Sequence, residues 1–266
     1  MTLVRSMCVL AVFILVGCAT ATEDQLSWEE FQAQAYREPD TGVYVINGDE
    51  LAENLDALRA SYEAYRYDSD GRYATTAQSL IVNRVSGRDD RWSDAEAANL
   101  TYCISSSSFG SRYSAVVTAM NTATSAWEGV GRVNFVHSSS LDGNCTRRTG
   151  VVFNVRQVNS GQYLARAFFP STSRRNREVL IDASSFGSID PYTLAGILRH
   201  ELGHTIGFRH EHTRPESGTC FEDNSWRALT AYDSASVMHY PQCNGTNRGD
   251  LVLTNLDKTG AGVLYP

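Results

Sequence analysis

The stretch His200-Glu201-Leu202-Gly203-His204-Thr205-Ile206-Gly207-Phe208-Arg209-His210 holds the residue types and spacing in this 266-residue chain that could do chemistry. His200 and His204 are four apart, so on a helix their rings leave the same face about one turn apart. Imidazole nitrogens so placed can share one Zn²⁺ at about 2.0–2.1 Å. Glu201 would sit beside such a metal without being needed as a ligand, free to accept a proton from a metal-held water. Gly207 can adopt positive φ without steric cost, ending the helix and turning His210 back toward the same ion. Three protein ligands leave a position open for water, which marks a catalytic rather than a structural zinc site. Zinc would bring the pKa of that water to about 7. The bland reading, histidines on a solvated helix face, does not account for the glycine and the third histidine.

Elements must hold these groups in place. Asp190 is expected as N-cap and Pro191 as first residue of the motif helix, with Leu194, Ile197, Leu198 and Leu202 as its apolar stripe. Upstream, the patterns predict a strand over Leu100–Ile104 and a helix over Tyr113–Glu128 that turns Val116, Val117, Met120, Ala123 and Trp127 to one face. Strands are predicted at 133–137, 151–158, 161–169 and 179–182, whereas residues 211–266 read as loop-rich. The class is α+β: a mixed sheet with helices first, an irregular part second, and a cleft between. Residues 23–66 are acidic and helical in character, through Leu26, Phe31 and Ala35 and then Leu51, Leu55, Leu58 and Tyr62. A short strand and turn at 42–49 separate the two runs, and the polar stretch 67–93 reads as a boundary or linker.

The chain carries 23 Lys and Arg against 30 Asp and Glu, a formal net charge of −7, which argues against nucleic acid as a partner. Arg5 and the apolar run from Val9 to Val16 form a targeting segment too short to span a bilayer comfortably. It ends at Leu15-Val16-Gly17-Cys18, which resembles a bacterial lipobox with Cys18 as the lipidated residue; cleavage after Ala19 or Ala21 is the alternative. Either way the protein is expected outside the cytoplasm, at the outer membrane, on the cell surface or free. Setting aside Cys8 and Cys18 leaves Cys103, Cys145, Cys220 and Cys243, an even number that suggests two disulfides in an oxidising compartment. Of the three possible pairings, Cys103–Cys145 and Cys220–Cys243 are favoured because each lies within one half of the sequence.

Downstream of the motif stands Ser236-Val237-Met238-His239-Tyr240. The extended zinc helix followed by a Met-containing turn resembles the metzincin zinc metalloproteases. Within that clan, His210-Glu211 and Ser-x-Met-His-Tyr resemble the astacins. Residues 210–216, 220–224 and 240–245 look closer still to the bacterial dual-action HEIGH metallopeptidases, with Leu202 where that group's name has Ile. The resemblance implies a twisted mixed sheet, an active-site helix and a loop-rich C-terminal subdomain. It implies Met238 as an apolar floor under the metal and Tyr240 as a fourth ligand that swings to stabilise an oxyanion, a task a phenol can perform. Glu211 matches a position that meets a new N-terminus in astacins, although Arg214 is an equally available partner. The strand around 163–169 is a candidate edge that receives an extended substrate.

Asn47-Gly48-Asp49 resembles part of an astacin propeptide segment whose aspartate occupies the water position on zinc. The expected organisation is therefore a signal segment over 1–18, an N-terminal extension or pro-segment over 19–90 and a catalytic domain over 91–266. The expected function is a zinc-dependent endopeptidase acting as a monomer on protein or peptide substrates, with His200, His204 and His210 as ligands, Glu201 as base, and Tyr240 and the latent Asp49 as further ligands. Arg209, Arg214 and Arg227 could favour acidic substrates or could serve in salt bridges. Two rival readings are a surface lipoprotein using zinc structurally and a zinc hydrolase of non-peptide amides.

Overall fold

The computed structural model describes residues 26–69, 80–247 and 249–266. The targeting segment and Cys18 lie outside them. In chain order the elements begin with α1 (Trp28–Gln34), β1 (Tyr36–Arg37), β2 (Tyr44–Ile46), β3 (Glu50–Ala52) and α2 (Leu55–Ser69). Then come β4 (Ile81–Val85), β5 (Arg88–Asp89), α3 (Asp94–Ala97), β6 (Leu100–Ile104), α4 (Ser106–Phe109) and α5 (Tyr113–Glu128). The remainder is β7 (Phe135–His137), β8 (Phe153–Val158), β9 (Ala165–Arg166), β10 (Glu178–Asp182), α6 (Leu194–Thr205), β11 (Trp226–Ala228) and α7 (Asn255–Leu264). The fold is α+β.

The central sheet has the order β7-β6-β8-β10-β9. β6, β7, β8 and β10 run parallel, and β9 closes one edge antiparallel to β10. Side chains of a strand alternate between the two faces of its sheet. Val155, Val179 and Ile181 thus enter the main core with Val116, Met120, Ala123 and Trp127 of α5 and with Leu198 and Leu202 of α6. Trp127 is fully buried, stacks on Phe208 and donates its indole N–H to the Arg199 carbonyl at 2.8 Å, which ties α5 to the motif helix. Each large side chain so buried contributes roughly 1.5–3 kcal/mol from removal of apolar surface from water.

The opposite face of the sheet is covered by the N-terminal segment. Leu180 packs there with Tyr163 and with Val45 of β2, flanked by Tyr36 and Val158. β1, β2 and β3 form a small antiparallel sheet of their own.

Several expectations meet a different local outcome. The motif helix begins after Thr193, whose hydroxyl accepts the Gly196 N–H; Asp190 and Pro191 precede it, joined by a cis peptide. A hydroxyl placed three residues before an amide can cap the helix later than a proline signal suggests. Only Ala165–Arg166 of the stretch 161–169 pairs as a strand, and Leu51 lies in β3 rather than on α2. Residues 80–93 are not a linker. β4 pairs with β5 and with β11, and Leu80 and Val82 sit in the main core. The apolar run Leu80-Ile81-Val82 is short enough to be hidden among the charges around it. The loop-rich end closes with α7, held by a Thr254–Asp257 capping box. Both favoured disulfides are present, Cys103–Cys145 and Cys220–Cys243.

Candidate active site

α6 carries His200, Glu201 and His204, all buried. At its end Gly207 takes φ +102°, and an added Cβ would collide with the Asp90 carbonyl. No residue with a side chain fits both that angle and that contact. The chain turns, Arg209 N–H donates to the Ile81 carbonyl on β4, and His210 faces the helix.

Each imidazole is oriented by its Nδ1. His200 donates to the Val237 carbonyl at 2.7 Å, His204 to the Phe208 carbonyl at 2.8 Å, and His210 to Glu222 Oε1 at 2.7 Å. With Nδ1 protonated, Nε2 of each ring is a lone-pair donor aimed inward. His200 Nε2 and His210 Nε2 lie 3.3 Å apart. Asp49 arrives opposite them, its Oδ2 3.2 Å from His200 Nε2 and its Oδ1 3.4 Å from His204 Nε2 and 3.0 Å from His210 Nε2.

These distances are a test of fit. A tetrahedral ion with ligands at 2.0–2.1 Å needs neighbouring ligand atoms about 3.3–3.4 Å apart. The separations of 3.0–3.4 Å lie near that figure, and one ligand atom from each of the four residues can be chosen so that all lie within 4.8 Å of one another. Asp49 Oδ1 and His204 Nε2 are buried and have no hydrogen-bond partner among the described residues, as expected of atoms that face a cation. The set of three imidazoles and one carboxylate suits Zn²⁺. A second grouping of His210, His212 and Glu222 is accounted for by hydrogen bonding, since Glu222 Oε1 sits 2.7 Å from His210 Nδ1 and 3.3 Å from His212 Nε2.

Glu201 has one carboxylate oxygen, Oε2, buried and without a hydrogen-bond partner among the described residues. Burial, reinforced by the charge of Asp49, raises its pKa well above the ordinary carboxylate value. Tyr240 Oη donates to Asp49 Oδ2 at 2.6 Å, and its ring stacks beside His200 and His212. Gly48 takes φ +97°, and a Cβ there would lie 2.7 Å from Tyr240 Oη. The glycine is what lets the Asn47-Gly48-Asp49 backbone come this close. Burial pushes the Tyr240 phenol up, and the neighbouring Asp49 charge adds to the shift.

Met238 is fully buried under α6, its sulfur against Gly203. Its turn is fastened from α7: Asp257 accepts the Ser236 hydroxyl at 2.6 Å and the Val237 N–H at 2.9 Å. Glu211 is buried, pairs with Arg214 at 3.4 Å and accepts the Asp233 N–H at 3.1 Å. The arginines considered for substrate binding are engaged elsewhere. Arg209 meets Glu50, Glu222 and Asp223, Arg214 meets Glu211 and Glu216, and Arg227 meets Asp89. Glu222 and Asp257 were not singled out for a role from sequence. Glu222 acts from twelve residues beyond His210, and nothing local in its segment marks it as the partner of that ring.

Beside the histidines lies a cavity of ≈ 260 Å³ whose wall away from the metal group includes Leu164, Ala165, Tyr192, Ile197, Pro241 and Leu251. β9 forms one rim and, among the described residues, is paired on one side only, with β10.

Buried histidines from one helix and its turn, with a carboxylate beside them, form a candidate metal centre of metallo-peptidase type. The chain belongs to metallo-peptidase family M12, whose family model matches residues 56–247. Among curated proteins it is 36% identical over 84 residues to a bone morphogenetic protein 1 homolog of Strongylocentrotus purpuratus, covering 23% of this chain and 13% of that one. It is 32% identical over 99 residues to nematocyst expressed protein 6 of Nematostella vectensis, covering 30% and 34%. The chain thus spans 13% and 34% of the length of these two relatives. Among solved structures it is similar to myroilysin at 17% identity and a TM-score of 0.49, covering 70% of this chain and 98% of that one. It is also similar to high choriolytic enzyme 1, a hatching enzyme zinc-protease from the Medaka fish Oryzias latipes, at 22% identity and a TM-score of 0.42, covering 66% and 94%.

Proposed function

We propose that this chain is an exported endopeptidase synthesised in a latent form, with His200, His204 and His210 as zinc ligands and Glu201 as general base. The arrangement of three inward Nε2 atoms and Asp49 with edges of 3.0–3.4 Å carries the reading. A bound zinc supplies Lewis-acid chemistry: it lowers the pKa of a coordinated water and polarises a carbonyl.

The protein's own groups do the rest. The free edge of β9 receives an extended peptide through main-chain hydrogen bonds. The cavity beside α6, whose wall away from the histidines is lined by Leu164, Ala165, Tyr192, Ile197, Pro241 and Leu251, takes a side chain next to the scissile bond. Glu201 takes a proton from the attacking water and passes it to the leaving amine; burial, by raising its pKa, suits it to hold that proton in between. Once Asp49 has left, the Tyr240 hydroxyl is free to donate to the developing oxyanion.

The extension is the latency device in this reading, with Asp49 at the position water needs. Leu80 and Val82 belong to the main core, so the part that leaves ends ahead of Leu80. Two disulfides support an oxidising compartment, whether the mature chain is anchored at Cys18 or released. The test is Glu201→Gln in the activated enzyme. Zinc content should match the parent while casein hydrolysis falls by several orders of magnitude. Full activity in that variant would refute the mechanism.

A further inference from the structure

Arg166 is one of the two residues of β9 and is wholly buried beneath the N-terminal segment. Its Nε donates to Glu38 Oε1 at 2.8 Å and its Nη2 to Glu38 Oε2 at 2.9 Å, a two-pronged clasp of one carboxylate. The Tyr163 hydroxyl adds a third bond to Glu38 Oε1 at 2.9 Å. The remaining nitrogen, Nη1, donates to the Glu178 carbonyl. Glu178 does not replace Glu38 as a partner: its carboxylate is taken by Asn154 and Arg156 and stands 3.9 Å from Arg166.

The place of this clasp in the sheet matters. Arg166 is opposite Leu180 on β10, and both look to the face away from the main core, whereas Ala165 lines the cavity by the metal group. The other side of β9 pairs with no strand among the described residues. A peptide added to that edge alternates its side chains between the two faces. One of its residues must then stand beside Arg166 on the outer face, about 4.5–5.5 Å away between Cβ atoms. Glu38 does not come from such a strand, since β1 pairs only with β2. Its own N–H and carbonyl bond instead to Val43 and Gly42, so Glu38 adds no strand to β9.

We propose that Arg166 and Tyr163 form a carboxylate-binding subsite on the edge strand, which selects substrates with Asp or Glu at one strand-paired position, and that Glu38 fills it in the latent chain. The proposal rests on the reading of the extension as a segment that leaves. With Glu38 gone the guanidinium keeps its bond to the Glu178 carbonyl and the Glu178 carboxylate 3.9 Å away, while Nε and Nη2 become available to clasp an incoming carboxylate with two charge-assisted hydrogen bonds. The neutral amide of Gln offers one acceptor and no charge, and gains much less.

The experiment uses activated enzyme whose N-terminus has been read by mass spectrometry, with peptides that differ only by Glu or Gln at each position around the cut. The parent should favour Glu at one position by about tenfold or more in kcat/KM, the scale of a charge-assisted pair. Arg166→Met should bring that ratio near one. Arg166→Lys keeps a point charge and should give an intermediate ratio, a second variant in case the first fails to fold. No preference for Glu at any position, or an Arg166→Met ratio equal to the parent's, overturns the subsite while leaving the peptidase intact. An active enzyme that still carries Glu38 overturns it too. Absence of chelator-sensitive cleavage of every peptide overturns the peptidase reading, and the subsite with it.

Discussion

Glu222 shows how much of the site rests on residues that do not touch the metal group. One carboxylate accepts from His210, contacts His212 and meets Arg209, all buried. Burial alone would raise its pKa, but the charges and hydrogen bonds of His210, His212 and Arg209 hold it far below the usual range. His212 accepts the Tyr240 N–H on its Nδ1 at 3.2 Å, so its Nε2 carries the proton toward Glu222. Glu222 therefore sets the tautomer of His210. Loss of such an outer partner typically costs about 10–100-fold in metal affinity. Glu222→Ala should weaken zinc binding by about that factor in a chelator competition, and Glu222→Gln, which keeps an acceptor, by less. An alanine variant that holds zinc as tightly as the parent would refute the orienting role. The three histidines, the glutamate between them and the turn glycine were legible from type and spacing alone. Glu222 was not, because its partner is chosen by the path of a disulfide-bearing loop and not by any local period.

At the scale of elements, α6 is held between α5 and the Met turn. Gly203 is where they converge: a Cβ would collide with Met238 Sδ and stand 3.1 Å from the Trp127 ring. Glycine normally costs a helix interior about 1 kcal/mol relative to alanine. Overpacking a full core costs about 1–3 kcal/mol, so close packing outweighs propensity here. Gly203→Ala should lower the melting temperature by a few degrees, about 2–4 °C per kcal/mol in a protein of this size. A variant more stable than the parent would mean that Met238 moves aside freely. The long amphipathic helix α5 could be read to its ends, because six of its side chains share one buried face at helical spacing. Strand β9 could not: a two-residue edge strand has no period of its own and is defined by its pairing with Leu180 and Ile181. The start of α6 at Thr193 was likewise decided by a hydrogen bond that competes with the proline signal.

For the molecule as a whole, the N-terminal segment does two jobs from two surfaces. Across the outer face of the sheet it packs Val45 on Leu180 and clasps Arg166 through Glu38. At the cleft it sets Asp49 against three imidazoles and under the Tyr240 hydroxyl. Asp49→Ala in the uncleaved chain should therefore raise its casein-hydrolysing activity well above that of the uncleaved parent, and no gain would sink the latency reading. Sequence by itself named the candidate metal ligands, since residues four apart on a helix followed by a glycine turn need only local geometry to meet. It also limited the disulfides to three pairings and favoured the pair of bridges observed. Tertiary structure alone decided that Leu80 and Val82 belong to the core and that Arg209 is spent on Glu50, Glu222 and Asp223. It alone brought Glu38 to Arg166, 128 residues away in the chain. The physical reason is range: spacing along the chain governs contacts within a turn or two of helix, whereas a buried charge finds its partner only after the core has folded around both.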